Sequence, residues 1–429
     1  MHSSSAPAKT VFTPVLRLFL LSMILANLGG TIFDPFLSIY LSKLGQPVET
    51  IGLFFTISAV FPLIFQILGG WISDRIGRLR SIAWGSAAGA LSWIATVAAP
   101  YTPNPLVCFL VSNAISAITF SLVAPSFDAF IAEQSDEENR GHVFAVIQSI
   151  YLVVGIVGPP LGGYIAQHFS YQILAWVAAI LYWIATVIRI NMAKPEAAAA
   201  RLRAEAARAS GAEAEHKMTF AELGKSFKSL FGLFASGGVF MWIVIIDGAF
   251  DIAGRLSGNL FPLFMKQIAG QNESRIGLLE SLTAIVSALL MIPLGKYSDR
   301  RGERNPIILG CMLFAASFGV LAFGHTLPIL IISALLSGIG QASIQPSMQS
   351  ATSKAVPQEL RGLAYGILGT SLGLFSFFAP GLGGWLWHQC FPTLPFLVSA
   401  VLTLLAAIPA FIGLRGLKAK AAAGPGTNT

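Results

Sequence analysis

Long apolar stretches separated by short polar connections run through almost the whole chain. Each holds about 20 residues, enough to cross roughly 30 Å of hydrocarbon as a helix. Away from water a spanning segment must satisfy its own backbone, so the pattern predicts transmembrane helices. Their boundaries read as 14–42, 48–72, 79–100, 104–132, 141–168 and 171–192, then 236–266, 272–298, 306–324, 328–352, 361–388 and 393–415. The expected fold is all-α, with twelve transmembrane helices in two six-helix bundles at 1–192 and 236–415. A cytoplasmic linker at 193–235 and a tail at 416–429 complete the chain. Within the linker, 197–215 reads as a solvated, Ala-rich charged segment. Phe220, Leu223, Phe227, Leu230 and Phe231 then share one helical face, which predicts an amphipathic helix along the inner membrane surface.

The pattern also repeats. Gly69–Arg78 returns in altered form as Leu294–Glu303, and Ile51-Gly52-Leu53 as Ile276-Gly277-Leu278, both at an offset of 225. Pro125-Ser126, Asn139-Arg140-Gly141 and Pro159-Pro160-Leu161-Gly162-Gly163 correspond at an offset of 221 to Pro346-Ser347, Leu360-Arg361-Gly362 and Pro380-Gly381-Leu382-Gly383-Gly384. The offsets differ by one helical turn, the mark of a short indel. Agreement at separated blocks predicts a duplicated chain with two pseudo-symmetric halves.

Composition excludes a soluble domain: 55% of the 429 residues are hydrophobic and 11% charged, against about 25% charged in soluble proteins. The net charge of +7 does not point to nucleic acid. With both termini in the cytoplasm, nearly all Lys and Arg fall on that side, leaving Lys43, Lys266 and Arg275 outside and Arg255 within a span, which is the positive-inside asymmetry. The polar Met1–Thr13 precedes an apolar run too long for a signal segment, so the first span is expected to be retained. Asn272-Glu273-Ser274 forms a glycosylation sequon in an expected outer loop. Trp176, Trp385 and Trp387 fall at expected outer ends, as interface anchors. Cys108, Cys311 and Cys390 have no metal spacing. With no Gly-Lys-Ser/Thr nucleotide loop, nucleophile triad or metal cluster in the sequence, the chain reads as neither an enzyme nor an ATP-driven pump, and no cofactor is expected.

The informative residues are the charges inside spans, since each costs at least about 2.5 to 3.5 kcal/mol at mid-membrane and must face protein or a watery cavity. Asp247, Asp251 and Arg255 stand at four-residue steps, on one face of span seven. Span one carries Asn27, Thr31, Asp34 and Ser38 as a comparable stripe. Span ten adds Ser333, Ser337, Gln341 and Gln345, and span four adds Asn113. Asp251 and Arg255, one turn apart, hold each other charged. Asp34 and Asp247 have no cation at helical spacing, which makes them the candidates to load and release a proton or a cationic substrate. Glu280, at a depth similar to Arg255, is its expected second partner. Asp34 also precedes Pro35, an ordinary pair for the start of a broken helix. Pro35 leaves the carbonyl of Thr31 without its helical donor. The stripe on span ten fits interhelical packing as well as it fits a cavity wall.

Taken together, the Gly-Gly-x-x-Ser-Asp-Arg-x-Gly-Arg loop at 69–78 and Gly158-Pro159-Pro160-Leu161-Gly162-Gly163 in span five resemble the major facilitator superfamily, most closely its drug:proton antiporters, over about residues 14–415. Two positions depart from the antiporter pattern: Val154 stands where the family has another Gly, with Gly155 one place off, and the second-half copy has Ala379 for Gly158. The resemblance implies a cytoplasmic latch at Gly70, Asp74, Arg75, Gly77 and Arg78, with Asp128 as the acidic partner of Arg78. Its second-half counterpart is Gly295, Asp299, Arg300 and Gly302, although Glu303 stands where Arg78 does. Gly158, Pro159, Gly162 and Gly163 would bend span five, and spans one and seven would line a central cavity. A carboxylate such as Asp74 pairs with loop arginines and helix-end dipoles only while that side is closed.

The function expected is a secondary active transporter, exporting amphipathic or cationic small molecules against protons by alternating access. Uptake or exchange of a sugar, organic acid or lipid-like solute is the other transport reading, with Arg255 as the anion contact. A non-transporting sensor or scaffold would need a large extra domain. The expected partners are a small-molecule substrate, protons and the lipid bilayer, for a monomer in the plasma (inner) membrane.

Overall fold

Every described secondary-structure element is helical. The computed structural model describes residues 14–134, 140–210, 238–357 and 376–416, with 232, 360, 364 and 368. The side chains of 66–76, 128–129, 132–141 and 195–210 are outside the description. The expected surface helix at 219–231 therefore lies outside the described residues, as do Asn139, Arg361, Gly362 and the tail from 417.

By length and composition, ten described segments can cross a membrane, against twelve expected. The two shortfalls have plain reasons. Span seven carries Asp247, Asp251 and Arg255 within one helix, α8 (Val239–Gly258). Of span eleven, only α13 (Ala379–Gln389) is described as a continuous helix.

Among the described residues, two spans are broken. Span one is α1 (Pro14–Phe33), a tight 3-10 turn at Asp34–Phe36 and α2 (Leu37–Lys43). The break falls where Pro35 removes a backbone donor. Span seven, expected continuous over 236–266, is instead α8 followed by α9 (Phe261–Gln267), with Pro262 in the first turn of α9. There proline fits because the first-turn N–H has no intrahelical acceptor. Both breaks leave a helix of seven residues.

The remaining elements are α3 (Val48–Ile76), α4 (Arg78–Ala98), α5 (Pro105–Gln134), α6 (Arg140–His168), α7 (Tyr171–Ser210), α10 (Glu273–Arg301), α11 (Arg304–Phe323), α12 (Leu327–Ala355) and α14 (Leu394–Gly413). α7 runs past the expected end of span six at 192 to Ser210. Beyond Pro195 the sequence is mostly Ala, Arg and Glu, strong helix formers that need no packing to favour a helix.

Contacts divide the chain into two compact units. One is 1–33, 64–158 and 172–213; the other is 34–63, 159–171 and 214–429. The division does not follow the sequence halves, because two first-half segments belong with the second half. Unit one is centred on Leu16, Phe19, Met23, Phe127 and Phe130, with the Phe19 ring centroid 4.2 Å from Phe127 and 4.7 Å from Phe130. Unit two has its own core of Ile243, Ile246, Ile307, Cys311 and Ala410.

Each unit carries the same hydroxyl knot. In unit one, Ser92 of α4 meets Ser112 at 3.0 Å and Ser116 at 2.7 Å on α5. In unit two, Ser317 of α11 meets Ser333 at 2.9 Å and Ser337 at 2.6 Å on α12. The knots obey the repeat offsets, 225 for the first helix and 221 for the second. Hydroxyls paired this way hold neighbouring helices together without presenting a bare polar atom to lipid. Ser333 and Ser337 thus make interhelical contacts.

Candidate functional site

Asp247 is half-buried on α8 and forms part of a cavity of about 450 Å³ in unit two. Gln341 and Gln345 of α12 stand on its wall with Phe250, Phe314 and Met348. With Gln349, one carboxylate, three carboxamides, two rings and a thioether make a surface suited to a molecule with an apolar body and a polar or cationic end. Proline-free α8 keeps Asp247 in helical register with Asp251 and Arg255.

One turn on, Arg255 Nε lies 3.0 Å from both carboxylate oxygens of Asp251. Ser376 also donates a hydrogen bond to Asp251. Glu280, expected to be a second partner of Arg255, is not: among the described ion pairs Arg255 meets Asp251 alone. Asp34 sits in the turn that ends α1, and it is not on the Asp247 cavity wall. In unit one, Asn27 turns its amide onto the carbonyl of Met23 at 2.8 Å, and Asn113 is half-buried on α5. The structure therefore brings together Asp247 with Gln341, and Asp251 with Arg255.

The repeated glycine blocks meet at two helix crossings, both inside unit two. Where α6 crosses α10, a methyl placed on Gly277 would lie 2.2 Å from the carbonyl oxygen of Pro159, and one on Gly163 would lie 2.3 Å from that of Glu273. Where α3 crosses α13, the corresponding distances are 2.6 Å from Gly52 to Pro380 and 2.8 Å from Gly384 to Val48. The pairs are the same pair: Gly52 and Gly277 differ by 225, and Gly163 and Gly384 by 221. Backbone reaches backbone only because no Cβ intervenes. The second crossing gains a hydrogen bond from the Gly381 N–H to Thr56 Oγ1 at 2.8 Å. Gly158 lies in unit one, and its bare Cα accommodates Thr31 on α1. Val154, the departure from the antiporter pattern, offers its carbonyl to the Thr31 hydroxyl at 3.4 Å.

Beside the first crossing is a charge cluster the sequence did not announce. Glu273, the first residue of α10, is buried. It accepts hydrogen bonds from Tyr171 at 2.7 Å and Lys266 at 2.8 Å, with Lys43 at 3.7 Å. Lys43 lies over the Tyr171 ring, 4.5 Å from its centroid. The two lysines stand in the last turns of the two short helices left by the broken spans. Asn272, expected in an outer loop, caps α10 by accepting the Arg275 N–H at 2.9 Å. Trp387, expected as an interface anchor, is buried against Phe264.

At the opposite ends of these helices, Gly77 and Gly302 make the turns with φ of +91° and +90°, values that disfavour a side chain. The side chains of Gly70, Asp74, Arg75 and Asp128 lie outside the description. Asp299 and Arg300 are exposed. The described ion pair here instead joins Glu303 to Lys354 of α12, with Ser350 donating 2.7 Å to the same oxygen. Glu303 has no exposed surface. Lys354→Met would strand that carboxylate, and breaking a buried pair on one side costs about 3–5 kcal/mol. The expected result is a markedly lowered Tm in detergent, recovered in Lys354→Arg.

Sequence reasoning also missed Arg189. It is buried in unit one, donating to Ser86 Oγ at 3.0 Å and Ser22 Oγ at 3.2 Å. Two serines at the matching depth of α1 and α4 were the available signal.

A duplicated bundle of apolar helices with an acid-lined cavity has the form of a membrane carrier. The chain matches the Major Facilitator Superfamily over residues 19–254 and 243–427, and it belongs to that superfamily: it is an integral membrane secondary transporter, not an enzyme. It is similar to the multidrug resistance protein MdtH of Aeromonas hydrophila, 24% identical over 88% of this chain and 90% of that protein. It is also similar to a Na(+), Li(+), K(+)/H(+) antiporter of Planococcus maritimus, 21% identical over 76% and 79%. Among solved structures, a peptide transporter POT in complex with sulfate matches with a TM-score of 0.70 at 15% identity, covering 95% of this chain and 96% of that one, and shares the fold.

Proposed function

We propose that the chain exports amphipathic or cationic small molecules in exchange for protons. The observation that carries this reading is Asp247 on a cavity wall beside three glutamines and two aromatic rings. A carboxylate there can neutralise a proton or a substrate cation, and one site that takes either but not both couples the two fluxes. Asp34 is the second proton site. The names of the similar multidrug resistance and cation/proton antiporter proteins support export by exchange. Arg255, clamped by Asp251 through both carboxylate oxygens, is already neutralised, which weighs against an anionic substrate.

The carrier works as a monomer in the plasma (inner) membrane, both termini cytoplasmic, with the halves 1–192 and 236–415 rocking about the central site. The glycine crossings, with Gly162 and Gly163 on α6, form the outer seam. Gly70, Asp74, Arg75, Gly77, Arg78 and Asp128, with Gly295, Asp299, Arg300 and Gly302, form the inner latch. Reconstitution into proteoliposomes with an imposed pH gradient and a panel of cationic, neutral and anionic solutes tests the reading. Proton flux dependent on cationic solutes is expected; flux with anions alone, or none with any solute, would overturn it.

A further inference from the structure

Unit one carries a second cavity, about 440 Å³, between α4 and α7. Arg80 and Lys194 stand at one end of it, with Trp84, Ile190, Ala83 and Ala87 along the rest. The two cations share one end of the spans Arg78–Tyr101 and Tyr171–Lys194. Trp84 lies one turn deeper than Arg80, and Ile190 one turn deeper than Lys194. Trp84 is 70% exposed, and at span depth that exposure is to lipid. Lys194 gives a hydrogen bond to Asn191 at 2.9 Å, and an ammonium has three donors.

The matching place in unit two carries an aromatic ring. At the offset of 221, Ile190 corresponds to Phe411 and Lys194 to Arg415. There Arg415 and Arg304 both lie on the Phe411 ring, 4.6 and 4.1 Å from its centroid. One ring engages both guanidinium groups. Isoleucine has no ring to offer, and in unit one Arg80 and Lys194 stand at the rim of the groove.

We propose that this groove binds an anionic phospholipid, with the phosphodiester between Arg80 and Lys194 and an acyl chain along Trp84 and Ile190. Cations at the polar edge and apolar surface below match a lipid's own order of headgroup and tail. A neutral lipid gains only the apolar half. By the positive-inside asymmetry, the bound lipid belongs to the inner leaflet.

The test is native mass spectrometry of the full chain taken from an equal mixture of phosphatidylglycerol and phosphatidylcholine. Wild type should retain phosphatidylglycerol preferentially. Each cation near the surface is worth about fivefold, so Arg80→Gln with Lys194→Gln should lower the ratio of the two lipids by about 25-fold. Trp84→Ala should weaken retention of both lipids. Arg80→Lys with Lys194→Arg should keep the wild-type ratio, and Arg17→Gln, an exposed cation outside the groove, should leave it unchanged. A wild-type ratio in the double Gln variant would overturn the proposal. So would displacement of the lipid by inorganic phosphate alone, which would make this a site for a soluble anion.

Discussion

Asp247→Asn is expected to abolish proton-driven accumulation while preserving substrate exchange down a gradient. Asparagine keeps the size and hydrogen bonding of the side chain but can neither take up a proton nor neutralise a cation. One proton per substrate across one pH unit, about 1.4 kcal/mol, supports roughly tenfold accumulation; in the variant the internal and external concentrations should become equal. The cavity wall otherwise stands, since Gln341, Gln345, Phe250 and Phe314 are untouched. Counterflow of labelled substrate should therefore persist, with a raised KM for cationic substrates that lose their counter-charge. Asp34→Asn should reduce coupling in the same assay. Wild-type pH-driven rates in both variants would remove the proposed proton sites.

Gly277→Leu is expected to hold the outer seam open. Even a methyl group there would lie 2.2 Å from the Pro159 carbonyl oxygen, and a main-chain oxygen within a helix cannot turn aside. Overpacking costs about 1–3 kcal/mol. Because the clash exists only while α6 and α10 are in contact, that cost shifts the closed-to-open balance by about 5–150-fold toward open. Gly52→Leu should act likewise at the other crossing, since Gly52 is its repeat partner. Gly319→Ala is the control: nothing lies within 4 Å of its added methyl, and alanine favours a helix by about 1 kcal/mol over glycine. The measurement is transport rate together with labelling of a cysteine placed at Ser42. Slow transport with faster outer labelling is expected in the Leu variants and neither in Gly319→Ala.

Hydropathy made the spans legible because lipid leaves a helix no alternative, and the proline rule marked the break after Phe33. The matching break before Phe261 escaped because the apolar run continues through Pro262 without a polar signal. The helix through Ser210 escaped for the opposite reason: its residues favour helix by propensity, while composition alone suggested a solvated linker. Asp247 with Gln341, and Asp251 with Arg255, could be read from helical spacing. Glu273 could not, because its partners Tyr171, Lys266 and Lys43 are far apart in sequence. A signal was present: the outer side held three cations against the positive-inside trend, and each such cation raises the question of its counter-charge. The hydroxyl knots were legible in principle too, since Ser92 and Ser317, Ser112 and Ser333, and Ser116 and Ser337 all obey the repeat. Hydroxyls are cheap enough in helices that such matches draw no attention until coordinates pair them.

The most direct test of alternating access is the distance between spin labels at Ser42 and Gln267, whose side chains meet at 2.9 Å beside the Glu273 cluster. Pulsed electron resonance in nanodiscs, with pH and a transported cation varied, should give a short and a long population whose ratio changes with both. A single short distance under every condition, in protein that still transports, would contradict an outer seam that opens once per cycle.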